Sequence, residues 1–485
     1  VQINVEISTE TKSGDQSMRF DEHFLRGALT EVEIINASFP DEARFAVDTR
    51  TLQKGDIFIA LPGTNNDGHH FIDAALQAGA AGLIIASGKK NLLDAISQSR
   101  LKGKLIVAVP DTLQALIRMA SVWRSQFKYP VVAITGSVGK TSTKEILARI
   151  LDLNGNHYIA SHGNQNTRIG ISLNILRMRS IHQMAIFEVG INKRGEMAEL
   201  ARILRPTTAV ITCIGHCHME GLGSLHDIAL EKSDLFKYFT EDSIGVINGD
   251  QALLANVGYV HPVLKFGSKT VNQIQARKIH IGSKHTSFIL KIYKEKYHIV
   301  IKQVHHGVVF NSLAATAVAH LLGVPNNVIV QAIQQPVVIA GRFEQRALKD
   351  NKGTLINDCY NANPESMKAA LLAFQKIESN APKIAVLGDM LELGLNSPFW
   401  HRQLGRFLRK VPSLKHLILV GSMVKWTKKT APVGLTVDVV PTWKEAIEQL
   451  KERLGQEAIV LVKGSRGVGL NNLVEAVTEE PTSKP

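Results

Sequence analysis

Pro130-Val131-Val132-Ala133-Ile134-Thr135-Gly136-Ser137-Val138-Gly139-Lys140-Thr141-Ser142-Thr143-Lys144-Glu145-Ile146-Leu147 reads as an apolar strand, a glycine-bearing loop with Lys and Thr, and the first turns of a helix. Backbone N–H groups of such a loop and of the helix start converge on an anion. Lys140 adds a point charge, and Thr141 can offer its hydroxyl to a phosphate-bound Mg2+. The cradle so defined is Gly136, Ser137, Val138, Gly139, Lys140, Thr141 and Ser142. The common form of the loop has four residues between its glycines, which would demand glycine at position 134, where the chain has Ile134. The loop is a shortened variant; the bland alternative is a glycine turn before an ordinary helix.

On either side of this loop the chain alternates strands and helices. At 485 residues and 45% hydrophobic it is too long for one core and divides into about three domains. Residues 1–128 form a small α/β unit with strands near Arg44–Asp48, Gly55–Leu61, Gly82–Ala86 and Leu105–Val109, closed by Tyr129-Pro130. Residues 129–335 form a P-loop ATPase-like, mostly parallel sheet with antiparallel strands appended between Ile274 and Val304, where the pattern turns to period two. Residues 336–485 form another open, Rossmann-like α/β sheet, and the Thr478–Pro485 tail is expected to be disordered. The apolar runs fall short of the roughly 20 residues a membrane span requires, so no stable membrane insertion is expected. Val1 to Ser17 is polar and does not read as a signal peptide.

Three cysteines cannot frame a chain of this length with disulfides, which fits a reducing cytoplasm. The net charge of +13 suits a polyanionic ligand. The cations read as scattered through amphipathic helices such as Trp443–Leu454, without a long basic block or interleaved aromatics. That points to phosphate-rich small molecules rather than nucleic acid. A monomer is expected.

Three further groups fall at strand ends, where open sheets place their ligands. Glu188, in Phe187-Glu188-Val189-Gly190, can hold Mg2+ directly or through water, or simply cap the helical region after it. Cys213-Ile214-Gly215-His216-Cys217-His218-Met219-Glu220 invites a zinc reading, but no second ligand knuckle is visible. A single His or Glu serving Mg2+ or substrate, or plain packing, stays open beside it. Asp358-Cys359-Tyr360-Asn361-Ala362-Asn363-Pro364 is a strand breaking into a polar turn, dense in hydrogen-bonding groups, in which Asn363 can also be a helix cap. Gly341-Arg342 and Lys463-Gly464-Ser465-Arg466-Gly467 supply cations of the kind phosphoryl transfer requires.

Together these stretches resemble the Mur ligase family. The resemblance runs from about Val47 to Ala476, through Val47-Asp48-Thr49-Arg50, Asp67-Gly68-His69, the Thr135–Ser142 loop, Gly163-Asn164, Glu188-Val189-Gly190, Gly341-Arg342, the Asp358–Pro364 turn, Leu387-Gly388-Asp389-Met390-Leu391-Glu392-Leu393-Gly394 and Lys463–Gly467. It is most specific to the branch that adds D-alanyl-D-alanine to UDP-N-acetylmuramoyl-tripeptide through an acyl phosphate made with ATP. The resemblance implies that Thr49, Arg50, Asp67, Gly68, His69 and Asn164 serve the nucleotide-sugar substrate, and that Gly136 to Ser142 bind ATP phosphates. Asn311 would contact adenine, Thr141, Glu188 and His218 would hold Mg2+, and Lys232 would be carbamylated. Arg342 and Asp358 would reach the nucleotide from the third domain, while Asn361, Asn363, Lys463, Ser465 and Arg466 would close over the dipeptide. Cys213 and Cys217 depart from the family pattern. A sister amide ligase, such as one extending folate with glutamate, and a nucleotide-dependent RNA-binding switch are the competing readings.

Overall fold

A computed structural model describes residues 19–63, 66–455 and 457–479. The expectation for Val1–Ser17, and that for the tail beyond Glu479, lie outside those residues. Thr478 itself is buried and bridges Leu348, so the start of the expected tail is ordered.

The first compact unit runs to Phe127 and takes in Ile175–Ile181. Its sheet has five strands in the order Glu33–Ala37, Leu105–Val109, Gly82–Ala86, Ile57–Ile59, Phe45–Ala46. Only the Glu33–Ala37 edge is antiparallel. That strand was not anticipated, because its alternation is weak and its outer residues face solvent. Ile175–Ile181 is held to this unit by Trp123 Nε1 donating to Met178 O at 3.1 Å and Arg179 Nη2 donating to Ala43 O at 3.0 Å.

The second unit, Lys128–Asn174 with His182 onward, carries two sheets. The larger has nine strands in the order Glu295–Ile301, Thr286–Ile292, Ile274–Ile281, Val263–Gly267, Ile244–Asn248, Thr208–Ile211, Val131–Thr135, Met184–Glu188, Tyr158–Ala160. Strands from Tyr158 to Ile274 pair in parallel and the last two antiparallel, as the change of period suggested. Val131–Thr135 is buried along its whole length between two neighbours. Each fully buried aliphatic side chain there contributes about 1.5–3 kcal/mol, so the strand is a rigid base for the loop it feeds. Helices Lys140–Leu153 and His306–Leu321 cover one face. The latter begins at His306, where His305 caps it by accepting from Gly307 N at 2.9 Å.

The smaller sheet has six strands in the order Glu344–Ala347, Gly353–Asn357, Ala458–Lys463, Lys383–Gly388, Leu414–Val420, Thr436–Val440, parallel except for the first. Helices Pro364–Lys376 and Ser397–Phe407 pack on one face through Met367, Leu371 and Leu404. Helices Trp443–Arg453 and Leu470–Val477 pack on the other through Leu450 and Leu473.

Candidate active site

Ile134 pairs with Glu188 on one side and Val210 on the other in mid-sheet. A loop starting at position 134 would break that ladder, which is why the glycines come later. Gly136 has φ 146° and Gly139 φ 91°. A Cβ at Gly136 would collide with Thr212 Oγ1, and one at Gly139 with Asn311 Oδ1. Gly139 caps the helix Lys140–Leu153 without a side-chain acceptor, leaving the first N–H groups aimed at the loop.

The loop is stitched down from one side. Ser137 N donates to Cys213 O at 2.8 Å, Gly215 N donates to Ser137 Oγ at 2.9 Å, and Thr212 Oγ1 donates to Val138 O at 2.6 Å. Lys140 Nζ folds back onto Gly136 O at 2.8 Å. Thr141 Oγ1 donates to Glu188 Oε2 at 2.7 Å, and Asn166 Nδ2 donates to Glu188 Oε1 at 2.9 Å. Ser142 lies in the first turn of the same helix.

Lys232 is buried on the helix Leu225–Ser233, and among the described residues no carboxylate pairs with it. Desolvation pushes its pKa down to about 8; Cys217 opposes that shift and Lys140 adds to it. Its neighbour Glu231 faces away, accepting from Gly195 N and Met197 N at 3.0 Å each.

From the smaller sheet, Arg342 stacks on Tyr360, its guanidinium carbon 4.1 Å from the ring centre. Arg342 Nη2 reaches Thr141 Oγ1 at 3.5 Å, and its Nε is buried without a hydrogen-bond partner. Asp358 accepts from Lys463 Nζ at 2.7 Å and from Phe343 N at 3.1 Å. Lys463 also donates to Asn361 O at 3.0 Å. Ser465 accepts from Leu391 N at 2.9 Å, and the exposed Arg466 has its guanidinium carbon 5.8 Å from the Tyr360 ring centre. Asn363 is the cap of Pro364–Lys376, accepting from Ser366 N at 2.8 Å in a reciprocal capping box, so its side chain is engaged in the helix start.

The loop Gly215–Glu220 joins the two sheets. His216 hydrogen-bonds the Glu365 carboxylate through its ring, and its backbone N–H donates to Glu365 Oε2 at 3.1 Å. The same ring lies 4.1 Å from Trp400, centre to centre. His218 Nδ1 lies 2.5 Å from Glu392 Oε2, and both residues sit at positive φ, 51° and 62°. The Glu392 carboxyl is held below its usual pKa by that contact. Glu365 and Trp400 were not singled out from the sequence, and Glu392 entered only as part of the Leu387–Gly394 stretch; each acquires its partner only through the fold. His216 and His218 each turn to a carboxylate, and among the described residues no group of three or more His, Cys, Asp and Glu is placed to hold a metal.

In the first unit, Arg50 pairs with Asp48 at 2.5 Å and Thr49 is half-buried beside them. Asp67 caps Gly68–Phe71 and accepts from His69 Nδ1 at 2.6 Å, while His69 Nε2 accepts from Ala86 N at 2.9 Å. His69 is thus a buried brace for its loop. In the second unit Asn164 is exposed, its carbonyl accepting from Asn166 N at 2.8 Å.

Residues 45–123 match the Mur ligase family catalytic domain, residues 134–319 the Mur ligase middle domain, and residues 341–466 the Mur ligase glutamate ligase domain. The chain therefore belongs to the Mur ligase family. Within it, the chain is 31% identical to the UDP-N-acetylmuramoyl-tripeptide--D-alanyl-D-alanine ligase of Bacillus subtilis, over 90% of this chain and 93% of that protein. The structure of MurF from Acinetobacter baumannii aligns with a TM-score of 0.80 at 26% identity, over 96% of this chain and 100% of that one. That of MurF ligase from Thermotoga maritima in complex with ADP gives 0.75 at 27%, over 89% and 96%.

Proposed function

We propose that the chain joins D-alanyl-D-alanine to UDP-N-acetylmuramoyl-tripeptide, converting ATP to ADP and phosphate. The observation that carries the phosphoryl step is Arg342: a half-buried guanidinium beside Thr141 whose buried Nε has no hydrogen-bond partner is suited to an anion. The tripeptide's terminal carboxylate oxygen attacks the γ-phosphorus, ADP leaves, and the dipeptide amine attacks the acyl carbon. A tetrahedral intermediate then expels phosphate and the amine's proton is lost. Lys140, the N–H groups of Gly136–Ser142 and Arg342 counter the charge that develops on the transferred group.

A hydroxyl and a carboxylate side by side, Thr141 and Glu188, suit a hard cation that takes the rest of its ligands from phosphate and water. With the free ring nitrogen of His218 they are the residues that would hold Mg2+. Bound there, the ion would neutralise phosphate charge. Lys232 suits carbamylation: with its pKa near 8, roughly a tenth of the amine is uncharged at pH 7. Its nitrogen can bond the carbon of CO2, release a proton and become an anion close to Lys140. Asn311, packed on Gly139, is the adenine-side residue in this reading. Asn361, Lys463, Ser465 and Arg466 shape the dipeptide side, while Asp358, held by Lys463, serves the nucleotide with Arg342. Thr49, Arg50, Asp67, Gly68, His69 and Asn164 serve the nucleotide sugar. We assign residues 1–128, 129–335 and 336–485 to these three tasks, in a cytoplasmic monomer. The folate-extending and RNA-switch readings have no comparable support.

Hydroxylamine added to enzyme, ATP and UDP-N-acetylmuramoyl-tripeptide without dipeptide is expected to trap the activated carboxyl as a hydroxamate. Ligation of the dipeptide with no hydroxamate under any condition would remove the acyl phosphate.

A further inference from the structure

Residues 397–430 contain eight Lys and Arg and no Asp or Glu. The fold gathers these cations onto one side of the smaller sheet. Arg402, Arg406 and Arg409 follow helical spacing along Ser397–Phe407 and the turn after it, and Lys425, Lys428 and Lys429 do so on Lys425–Thr430. The two rows lie side by side. Thr427 Oγ1 donates to His401 O at 3.0 Å, Thr430 Oγ1 donates to Arg402 O at 2.8 Å, and a Cβ at Gly405 would strike Thr427 and Thr430. Arg402 and Lys429 both stack on Trp426, at 5.0 and 5.7 Å.

Among the described residues none of these six cations has a carboxylate partner, although Arg346 of the same sheet pairs with Glu344 and Glu475, and Arg453 on the helix Trp443–Arg453 pairs with Asp438. The helix Trp443–Arg453 on the opposite face carries Glu445, Glu448 and Glu452 against Lys444, Lys451 and Arg453, so the charge is confined to one layer. Beside the cations are exposed apolar groups. Val433, just past the second helix, is wholly exposed, and Phe399 is 44% exposed.

We propose that this face docks on an anionic lipid surface. Clustered Lys and Arg are drawn to such a surface at about 1 kcal/mol each, or roughly fivefold in affinity per charge, and exposed apolar residues beside them can enter the headgroup layer. A single-stranded nucleic acid would need open aromatic faces to stack on, whereas the half-buried Trp426 carries Arg402 and Lys429 on its ring. The sequence pattern had suggested scattered cations; the acid-free stretch and its interleaved Trp400, Phe407 and Trp426 show a block. The proposal does not depend on the ligase reading.

The test is co-sedimentation of the full chain with phosphatidylcholine vesicles and with mixed phosphatidylglycerol–phosphatidylcholine vesicles. Binding is expected only to the mixed vesicles, to weaken with salt, and to fall at least ~10-fold in Lys425→Glu/Lys428→Glu/Lys429→Glu. The control Lys284→Glu/Lys294→Glu/Lys296→Glu, at the turns between the antiparallel strands of the larger sheet and the start of the last of them, is expected to bind as the parent does. If the reversed triple loses thermal stability, the milder Lys→Gln triple at the same positions replaces it, with a smaller loss expected. Equal binding to neutral vesicles, an equal loss in the control, or displacement of vesicles by stoichiometric poly(U) would overturn the proposal, the last in favour of nucleic acid.

Discussion

Burial takes the Lys232 ammonium out of water, and its pKa falls from 10.5 to about 8. Between those values the unfolded chain holds a proton the folded chain has released, so stability rises with pH across that window. Below pH 8 the full cost is present, on the order of 3 kcal/mol. Lys232→Met keeps the length and removes the charge. In CO2-free buffer at pH 7 its Tm is expected to exceed that of the parent, the gap closing towards pH 10.5, while ligation falls sharply. A lower Tm at pH 7 would show that the amine has a stabilising partner. Other residues carry roles that only packing reveals. Asn363 is committed to a helix cap, and Lys463 ties Asp358 to Asn361 from within the core.

The loop Gly215–Glu220 is one element through which the larger sheet meets the smaller one. Its Gly215 end is bonded to Ser137 of the phosphate loop, and its His216 to Glu365 at the start of Pro364–Lys376. Two left-handed residues, His218 and Glu392, meet a little further along; such backbone persists only where its surroundings hold it, at about 1–3 kcal/mol each. Glu365→Ala removes the acceptor of both His216 bonds. It is expected to lower kcat for ligation by ~10-fold or more while nucleotide affinity at the phosphate loop stays within about twofold. Glu365→Gln, which keeps an acceptor, is expected to recover most of the rate. Equal loss of nucleotide binding in Glu365→Ala would mean that the residue supports the loop itself rather than the approach of the second sheet. The phosphate loop was legible in the sequence because its chemistry is local: glycines, Lys140 and Thr141 act from consecutive positions. The His216–Glu365 bond was not, since its partners are 149 residues apart and neither is unusual alone.

At the scale of the whole molecule, the three α/β sheets, the antiparallel addition to the second and the strand-end positions of Glu188 and Asp358 follow from hydrophobic period and turn chemistry. The edge strands Glu33–Ala37, Tyr158–Ala160 and Glu344–Ala347 were not foreseen, being short or half-exposed and so weakly patterned. Nor was the grouping of Ile175–Ile181 with the first unit, which rests on backbone acceptors such as Met178 O that carry no side-chain signature. The basic layer on the third sheet emerged once helical spacing and the Thr427 and Thr430 bonds set its two rows side by side. What the molecule does as a whole is tested by ADP release with UDP-N-acetylmuramoyl-tripeptide as acceptor, comparing D-alanyl-D-alanine with D-alanine, L-lysine and L-glutamate. Stoichiometric ADP and amide are expected with the dipeptide alone, and from Lys140→Ala a rate lower by ~100-fold or more. Equal turnover with a single amino acid, or near-normal ligation by Lys140→Ala, would contradict the assignment.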